Sequence, residues 1–274
     1  MKTDTRFLFT SLIKEIDVDL CIDVGANNGG ETILYKSAMP ESMMTLCFEP
    51  SRYNIEILKQ AIIGIANIVV YEYAVSNYNG KAKFYIDNYE DGTNNTGRSS
   101  LYERIYMDNI KEVVDVEVVR LDELILKQYN EFKIMALHID VEGAGYEVLE
   151  GISKIKDRIK IIHIEVERSP LYVGQKIEQD IVYLMNEYGF IKIADDTYNN
   201  DFYADNRAVK EERLLQPSNI IFINKSIKIN NMALKILYAF IVGKIHNKVK
   251  FLMKMVLPNR IHRKFKVIIA KYFI

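Results

Sequence analysis

The chain has 274 residues, 49% of them hydrophobic, enough to bury a substantial core in one domain with an appendage. Its net charge of −1 hides an asymmetry, because no Asp or Glu follows Glu212 while 13 Lys and Arg do, leaving about −14 on the rest. Cys21 and Cys47 are the only cysteines and exclude a disulfide framework; with no secretory pattern at the N-terminus and no run of about 18 apolar residues, a reducing cytoplasmic setting without a spanning helix is expected.

The opening residues read as a short helix. From Leu20 strands and helices alternate. "LCIDVG" is a buried strand, followed by the helical "GETILYKSAM", which Pro40 stops. "MTLCFEP" is a second strand, "SRYNIEILKQAI" a helix capped by Ser51, and "NIVVYEYAVS" a third strand. "KIMALHIDVEG" and "IKIIHIEVE" are the fourth and fifth, separated by the helical "AGYEVLEGISKI". The helix "EQDIVYLMNEYGF" closes at Gly189, and "FIKIADD" and "NIIFINK" finish as strands. Continuous apolar strands alternating with helices predict an α/β domain built on a parallel sheet covered on both faces. Two segments break the rhythm. Residues 80–120 read as an inserted hairpin around a polar loop, and residues 195–218 as a second long polar loop.

In such a sheet a ligand lies beyond the carboxyl ends of the strands, at the switch point of strand order. Asp23, Glu49, Asp140 and Glu165 each fall at the end of a predicted strand and are expected to rim one crevice. Gly25, Gly29 and Gly30 allow a sharp turn and close backbone approach, and Glu49 follows Gly25 at the distance of a ribose-binding acid. A pyrophosphate cofactor favours G-x-G-x-x-G. Here Asn27 replaces the second glycine, and Asp23 would bring negative charge toward the phosphate. S-adenosylmethionine, with a sulfonium, an ammonium and no phosphate, suits such a rim better. A nicotinamide-dependent oxidoreductase on the same kind of sheet and a catalytically silent scaffold remain the rival readings.

The blocks "IDVGANNGGET", "CFEPS", "YAVSNYNGKAKFY", "VVRLDEL" and "LHIDVEGAGYEVLEG", in this order, resemble the FkbM family of S-adenosylmethionine-dependent methyltransferases over about residues 18–225. The resemblance implies the seven-stranded methyltransferase variant of the Rossmann sheet, with a reversed last strand. It also implies methylation of oxygen on glycans, glycolipids or polyketide-type molecules. Asp23, Gly25 and Asn27 correspond to the cofactor loop, Glu49 to the ribose acid, and Asp140, Glu142 and Gly143 to the D-V-E-G signature; Gly29 and Asp140 are also counted with the cofactor-binding residues. Ser76, in the third block, is placed with the cofactor-binding residues. "TGRSSL" resembles a block beside cofactor and acceptor; Arg98, Ser99 and Ser100 there would bind acceptor groups or cap a following helix.

Methyl transfer to oxygen needs an aligned acceptor and removal of a hydroxyl proton. Asp140 or Glu142 is the expected base; Glu142 could equally serve the dipole of the following helix. Alternation puts His138 on the side of Asp140, and His163 on the side of Glu165 and Glu167. His138 is counted with the catalytic candidates, Glu165 and Glu167 with the acceptor site. If these strands are neighbours, the two histidines lie close together, either in the site or as satisfied core residues. Asp140 and Glu165 with water would suit magnesium, but no compact ligand motif supports a metal and none is assigned.

Residues 1–225 thus form the methyltransferase domain and 226–274 a basic tail. From Met232 to Val256, Leu234, Tyr238, Ile241, Ile245, Val249, Leu252 and Val256 make one apolar helical stripe with lysines around it. Pro258 ends that helix and "RIHRKFKVIIAKYF" begins another basic amphipathic stretch. Such helices lie in the headgroup region of anionic membranes, so peripheral attachment at the inner membrane face is expected. Docking on the acidic domain and homo-oligomerisation are the other uses of the tail; nucleic acid is not expected as a partner.

Overall fold

The computed structural model describes residues 4–87, 97–105, 110–196 and 217–227. Most of the second polar loop and the amphipathic tail lie outside them. Helix α1 (Thr5–Glu15) precedes strand β1 (Leu20–Val24), α2 (Gly30–Ser37), β2 (Met44–Phe48), α3 (Arg52–Ala61) and β3 (Ile68–Tyr71). Then come β4 (Ala74–Ser76), β5 (Gly80–Asp87), β6 (Ile110–Arg120), α4 (Leu121–Gln128), β7 (Met135–Ile139) and α5 (Gly145–Glu150). The chain continues through β8 (Ile159–Val166), α6 (Glu178–Glu187), β9 (Phe190–Asp195) and β10 (Ser218–Asn224).

Seven strands form the central sheet in the order β3-β2-β1-β7-β8-β10-β9. β10, the last strand among the described residues, runs antiparallel to both neighbours, and the other adjacent pairs are parallel. The expected seven-stranded α/β sheet with a reversed last strand is therefore present. Its centre is apolar on both faces because helices cover both. One face packs Ile22, Leu46, Leu137, Ile162 and Phe222 against Leu121 and Ile125 of α4, Val148 and Leu149 of α5, and Ile181 and Met185 of α6. The other packs Cys21, Ala136, Ile161 and Ile221 under Leu8, Phe9, Leu12 and Ile13 of α1. Both cysteines are buried thiols.

The inserted segment is a hairpin as expected: β5 pairs antiparallel with β6. Two boundaries differ from the sequence reading. "NIVVYEYAVS" is not one strand, since β3 joins the central sheet while β4 pairs with β6 in a separate three-stranded sheet. The strand must break there for the second sheet to fold over the first. "VVRLDEL" is part strand and part helix. Arg120 ends β6, and Asp122 at the start of α4 accepts from the Arg120 guanidinium at 2.8 and 3.0 Å and from the Lys154 backbone N–H at 3.1 Å. Among the described residues no helix follows Ser100 before β6. Residues 97–105 form turns, and Ser100 bridges to Tyr85 of β5.

Candidate active site

Strand order reverses between β1 and β7, and a cleft opens at their carboxyl ends. With its open mouth included, it encloses about 580 Å³ of empty space. Gly25 and Asn27 after β1, Glu49 after β2, and Asp140 and Glu142 after β7 form its floor. The second sheet roofs it with Val75 and Phe84, and Ser99 and Leu101 close one side.

The floor depends on backbone conformations that the sequence supplies at the turn. Gly25 has φ +86°, and a Cβ there would lie 1.8 Å from the carbonyl oxygen of Asp140. Only glycine lets the β1 and β7 ends approach this closely. Asn27 also takes a left-handed conformation, φ 47°, which Asn tolerates better than most residues. That turn aims its backbone N–H at Glu49 Oε2, 2.8 Å away. The other oxygen, Oε1, accepts from the Ser51 N–H at 2.8 Å and the Asn54 amide at 3.4 Å. Burial still dominates: it pushes the Glu49 carboxyl up to about 7, against the pull of these donors.

Across the cleft, Asp140 is raised to about 7 by burial and by the nearby Glu142, although His138 opposes the shift. Glu142 sits in a left-handed conformation, φ 45°. Its Oε2 accepts from the Tyr172 hydroxyl at 2.5 Å, and its carbonyl accepts from Ser100 Oγ at 2.5 Å. The next residue, Gly143, has φ +85°, and a Cβ on it would meet the Tyr172 ring at 2.5 Å. The signature glycine is thus demanded by an aromatic residue in a later loop. Tyr172 and the cleft residue Asn54 carry no signal in the sequence, because neither belongs to a motif or ends a predicted strand; Tyr73 opens the block "YAVSNYNGKAKFY" but nothing there marks it as facing the cleft.

Asp23 and His138 lie elsewhere. Both are enclosed on the α1 side of the sheet, beneath the cleft floor. Asp23 accepts a short hydrogen bond from Thr32 Oγ1, and its Oδ1 lies 2.8 Å from His138 Nδ1. Burial lowers the His138 pKa, but the hydrogen bond and charge of Asp23 outweigh it and leave the imidazole raised. The expected neighbourhood of the two histidines is present: their rings stack at 5.1 Å. His163, whose Nε2 is 3.1 Å from Thr5 Oγ1, is pushed well below its ordinary value by burial and by His138. Here the histidines are core residues tied to internal partners, and the carboxylate facing the glycine turn is Glu49 rather than Asp23.

Ser76, buried near the end of β4, lies outside the cleft lining. Arg98 is turned to Asp87, with Nε 2.7 Å from Oδ2, while Ser99 faces the cleft and its Oγ accepts from the Asp87 N–H at 3.2 Å. Glu165 and Glu167 on β8 and just beyond it stand next to Asp140 and Glu142 rather than in the cleft lining. Burial, reinforced by those acids, raises both; Glu167 reaches about 8.

The methyltransferase FkbM domain matches residues 23–192. The 2-O-methyltransferase NoeI of Sinorhizobium fredii (strain NBRC 101917 / NGR234) is 24% identical over 175 residues, covering 60% of this chain and 70% of that protein. A crystal structure of a methyltransferase FkbM from Methylobacillus flagellatus KT is 16% identical with a TM-score of 0.39, covering 62% of this chain and 37% of that one. A precorrin-6y C5,15-methyltransferase from Geobacter metallireducens GS-15 is 12% identical with a TM-score of 0.43, covering 81% and 87% of the two chains. With the domain match spanning more than half of its length, this chain belongs to the FkbM methyltransferase family.

Proposed function

We propose that the protein transfers a methyl group from S-adenosylmethionine to a hydroxyl oxygen of a sugar, in a surface glycan or its lipid-linked precursor. The observation that carries this reading is the pair of carboxylates, Glu49 and Asp140, placed on either side of the Gly25 turn in one cleft. Two acids there disfavour a phosphate ester and accommodate a cationic ligand. The fit rests on the cradle as well, since Gly25 leaves room that any side chain would fill. Glu49, fixed by two backbone N–H donors, keeps lone pairs for ribose hydroxyls.

When bound, S-adenosylmethionine supplies a methyl carbon activated by a positive sulfur. The chain has then to align an acceptor oxygen with that carbon and take up its proton. Asp140 is the base, because its carboxylate lines the cleft and accepts no hydrogen bond from the described residues. Glu142, already held by Tyr172, orients the acceptor beside it. Ser99 and Arg98 stand at the acceptor side, with Arg98 braced by Asp87. The name of NoeI, a 2-O-methyltransferase, supports oxygen as the methylated atom.

The basic tail, residues 226–274, would hold the enzyme at an anionic inner membrane face, beside lipid-linked acceptors. No helix of the described residues is long and apolar enough to cross a membrane.

Calorimetry with S-adenosylmethionine, S-adenosylhomocysteine and NAD tests the cofactor. Binding of the first two and not NAD is expected; NAD alone would favour an oxidoreductase, and no nucleotide binding a silent scaffold. Mass spectrometry of surface glycans with and without the protein then looks for loss of one methyl group.

A further inference from the structure

We propose that Tyr172 is a positioning residue for the reaction: acting through Glu142, its hydroxyl holds that carboxylate in place at the acceptor end of the cleft. This role rests on the methyl-transfer reading. Glu142 lines the cleft, yet its backbone is left-handed, φ 45°, a conformation that a non-glycine residue keeps only where its surroundings fix it. Two segments outside the central sheet do so. Ser100 Oγ donates to the Glu142 carbonyl at 2.5 Å, and the Tyr172 hydroxyl donates to Glu142 Oε2 at 2.5 Å.

Both segments are themselves tied down. Ser100 exchanges backbone hydrogen bonds of 2.8 and 3.1 Å with Tyr85 of β5. Residues 103–105 run antiparallel to residues 171–173. The Val173 N–H donates to the Glu103 carbonyl at 2.8 Å and the Ile105 N–H to the Leu171 carbonyl at 2.9 Å, with Arg104 opposite Tyr172. Gln175 Oε1 accepts from the Leu171 and Tyr172 N–H groups at 2.8 and 3.1 Å, closing the turn that carries the tyrosine. Residues opposite each other in such a pair share a side, and the Arg104 guanidinium carbon lies 5.7 Å from the centre of the Tyr172 ring. The tyrosine is thus fixed at its backbone and on its ring before its hydroxyl reaches Glu142.

Ring and hydroxyl serve different ends. The ring, 1% exposed, fills the space over Gly143, and a phenylalanine would fill it equally. The hydroxyl has Glu142 as its partner. With Oε2 held, Oε1 has no donor among the described residues and keeps its lone pairs for an acceptor hydroxyl. The charges around Glu142 give the phenol its importance. Asp140 after β7, Glu165 and Glu167 on and just beyond β8, and Asp87 of β5 face it with negative charge, Arg98 and Arg104 with positive. Burial raises the Glu142 carboxyl, and the Tyr172 hydrogen bond is the largest influence against that rise. Without the hydroxyl, Glu142 takes up its proton at a higher pH, and a protonated, unfastened side chain no longer orients the acceptor.

The test uses the full chain, glycan extracted from cells lacking the protein, and S-adenosylmethionine with a tritiated methyl group. Tyr172→Phe should lower kcat/KM for the extract about tenfold or more, move the acid limb of the rate to higher pH, and leave S-adenosylmethionine affinity by calorimetry unchanged. Tyr183→Phe, exposed on α6, should change none of these. Carboxyl titration by ¹³C NMR with labelled glutamate should show Glu142 protonating at higher pH in Tyr172→Phe than in wild type. Glu142→Gly keeps the left-handed backbone without the carboxylate, and Tyr172→Phe added to it should cost nothing further in rate. An unmoved acid limb with an unmoved Glu142 titration, or full additivity of the two substitutions, would overturn the proposal. If Tyr172→Phe does not fold by circular dichroism, wild type decides: the Tyr172 hydroxyl proton should give a downfield NMR signal that Glu142→Gly removes, and lack of that signal overturns the proposal as well. If wild type binds S-adenosylmethionine but labels no extract, the glycan reading fails, while the Glu142 titration still decides the role of Tyr172.

Discussion

Substituting Glu49→Gln separates a carboxylate kept for a ligand from one kept for the fold. Glu49 is 4% exposed, and burial raises its carboxyl from the ordinary 4.5 to about 7. That rise corresponds to about 3 kcal/mol of folding stability. Between pH 4.5 and 7 the folded protein holds this proton while the unfolded chain has released it. Wild-type stability therefore falls as pH rises through that window, and the full penalty is present above it. An amide carries no such penalty. It does leave one of the two N–H donors, Asn27 or Ser51, without its acceptor, a pH-independent cost of about 1–3 kcal/mol. Urea unfolding of both proteins at pH 5 and pH 8 should show the variant gaining about 2–3 kcal/mol relative to wild type at the higher pH. Calorimetry should show it binding S-adenosylmethionine about tenfold or more weakly, the worth of a charged hydrogen bond to ribose. A stability difference that stays constant between the two pH values would refute the buried-acid reasoning, and unchanged affinity would refute the ribose role.

Gly25→Ala puts a methyl group against the Asp140 carbonyl in a left-handed backbone; a loss of roughly 2–4 kcal/mol in denaturant unfolding and loss of nucleotide binding are expected. Asp23→Ala leaves His138 without its buried carboxylate, so a loss of about 3–5 kcal/mol, measured by the same unfolding, should accompany near-normal nucleotide affinity in the folded fraction. Asp140→Asn should lower turnover on a true acceptor by at least 10²-fold with little change in the affinity for S-adenosylmethionine; intact turnover would assign the base elsewhere. Full-length protein should float with anionic liposomes while a 1–225 truncation stays in solution, and equal flotation of the two would remove the membrane role of the tail.

Much of the site could be read along the chain because its parts lie at strand ends. Glycine after β1, an acid after β2 and the D-V-E-G turn after β7 are each local patterns, and a parallel sheet collects them at one edge. Asp23 shows where that logic stops. It also ends an apolar strand, yet alternation along β1 turns its side chain to the α1 face with Cys21, where Thr32 and His138 hold it. Local sequence does not say which face of the sheet is which. The split of "NIVVYEYAVS" was hidden for a similar reason, since both halves are equally good strands and only the pairing of β4 with β6 sends them to different sheets.

Composition and periodicity by themselves determined the alternating α/β sheet, its buried strands and the position of the glycine turn, because burial on two faces and a left-handed backbone each restrict residue type strongly. Only the tertiary structure decided that Glu49 and Asp140 share the cleft, that Asp23 and His138 form an internal pair, that Tyr172 demands Gly143, and that Glu165 joins Asp140 and Glu142. Those relations join residues far apart in the chain. Their charge and contact energies depend on separation in space, which the order of residues along a strand does not encode.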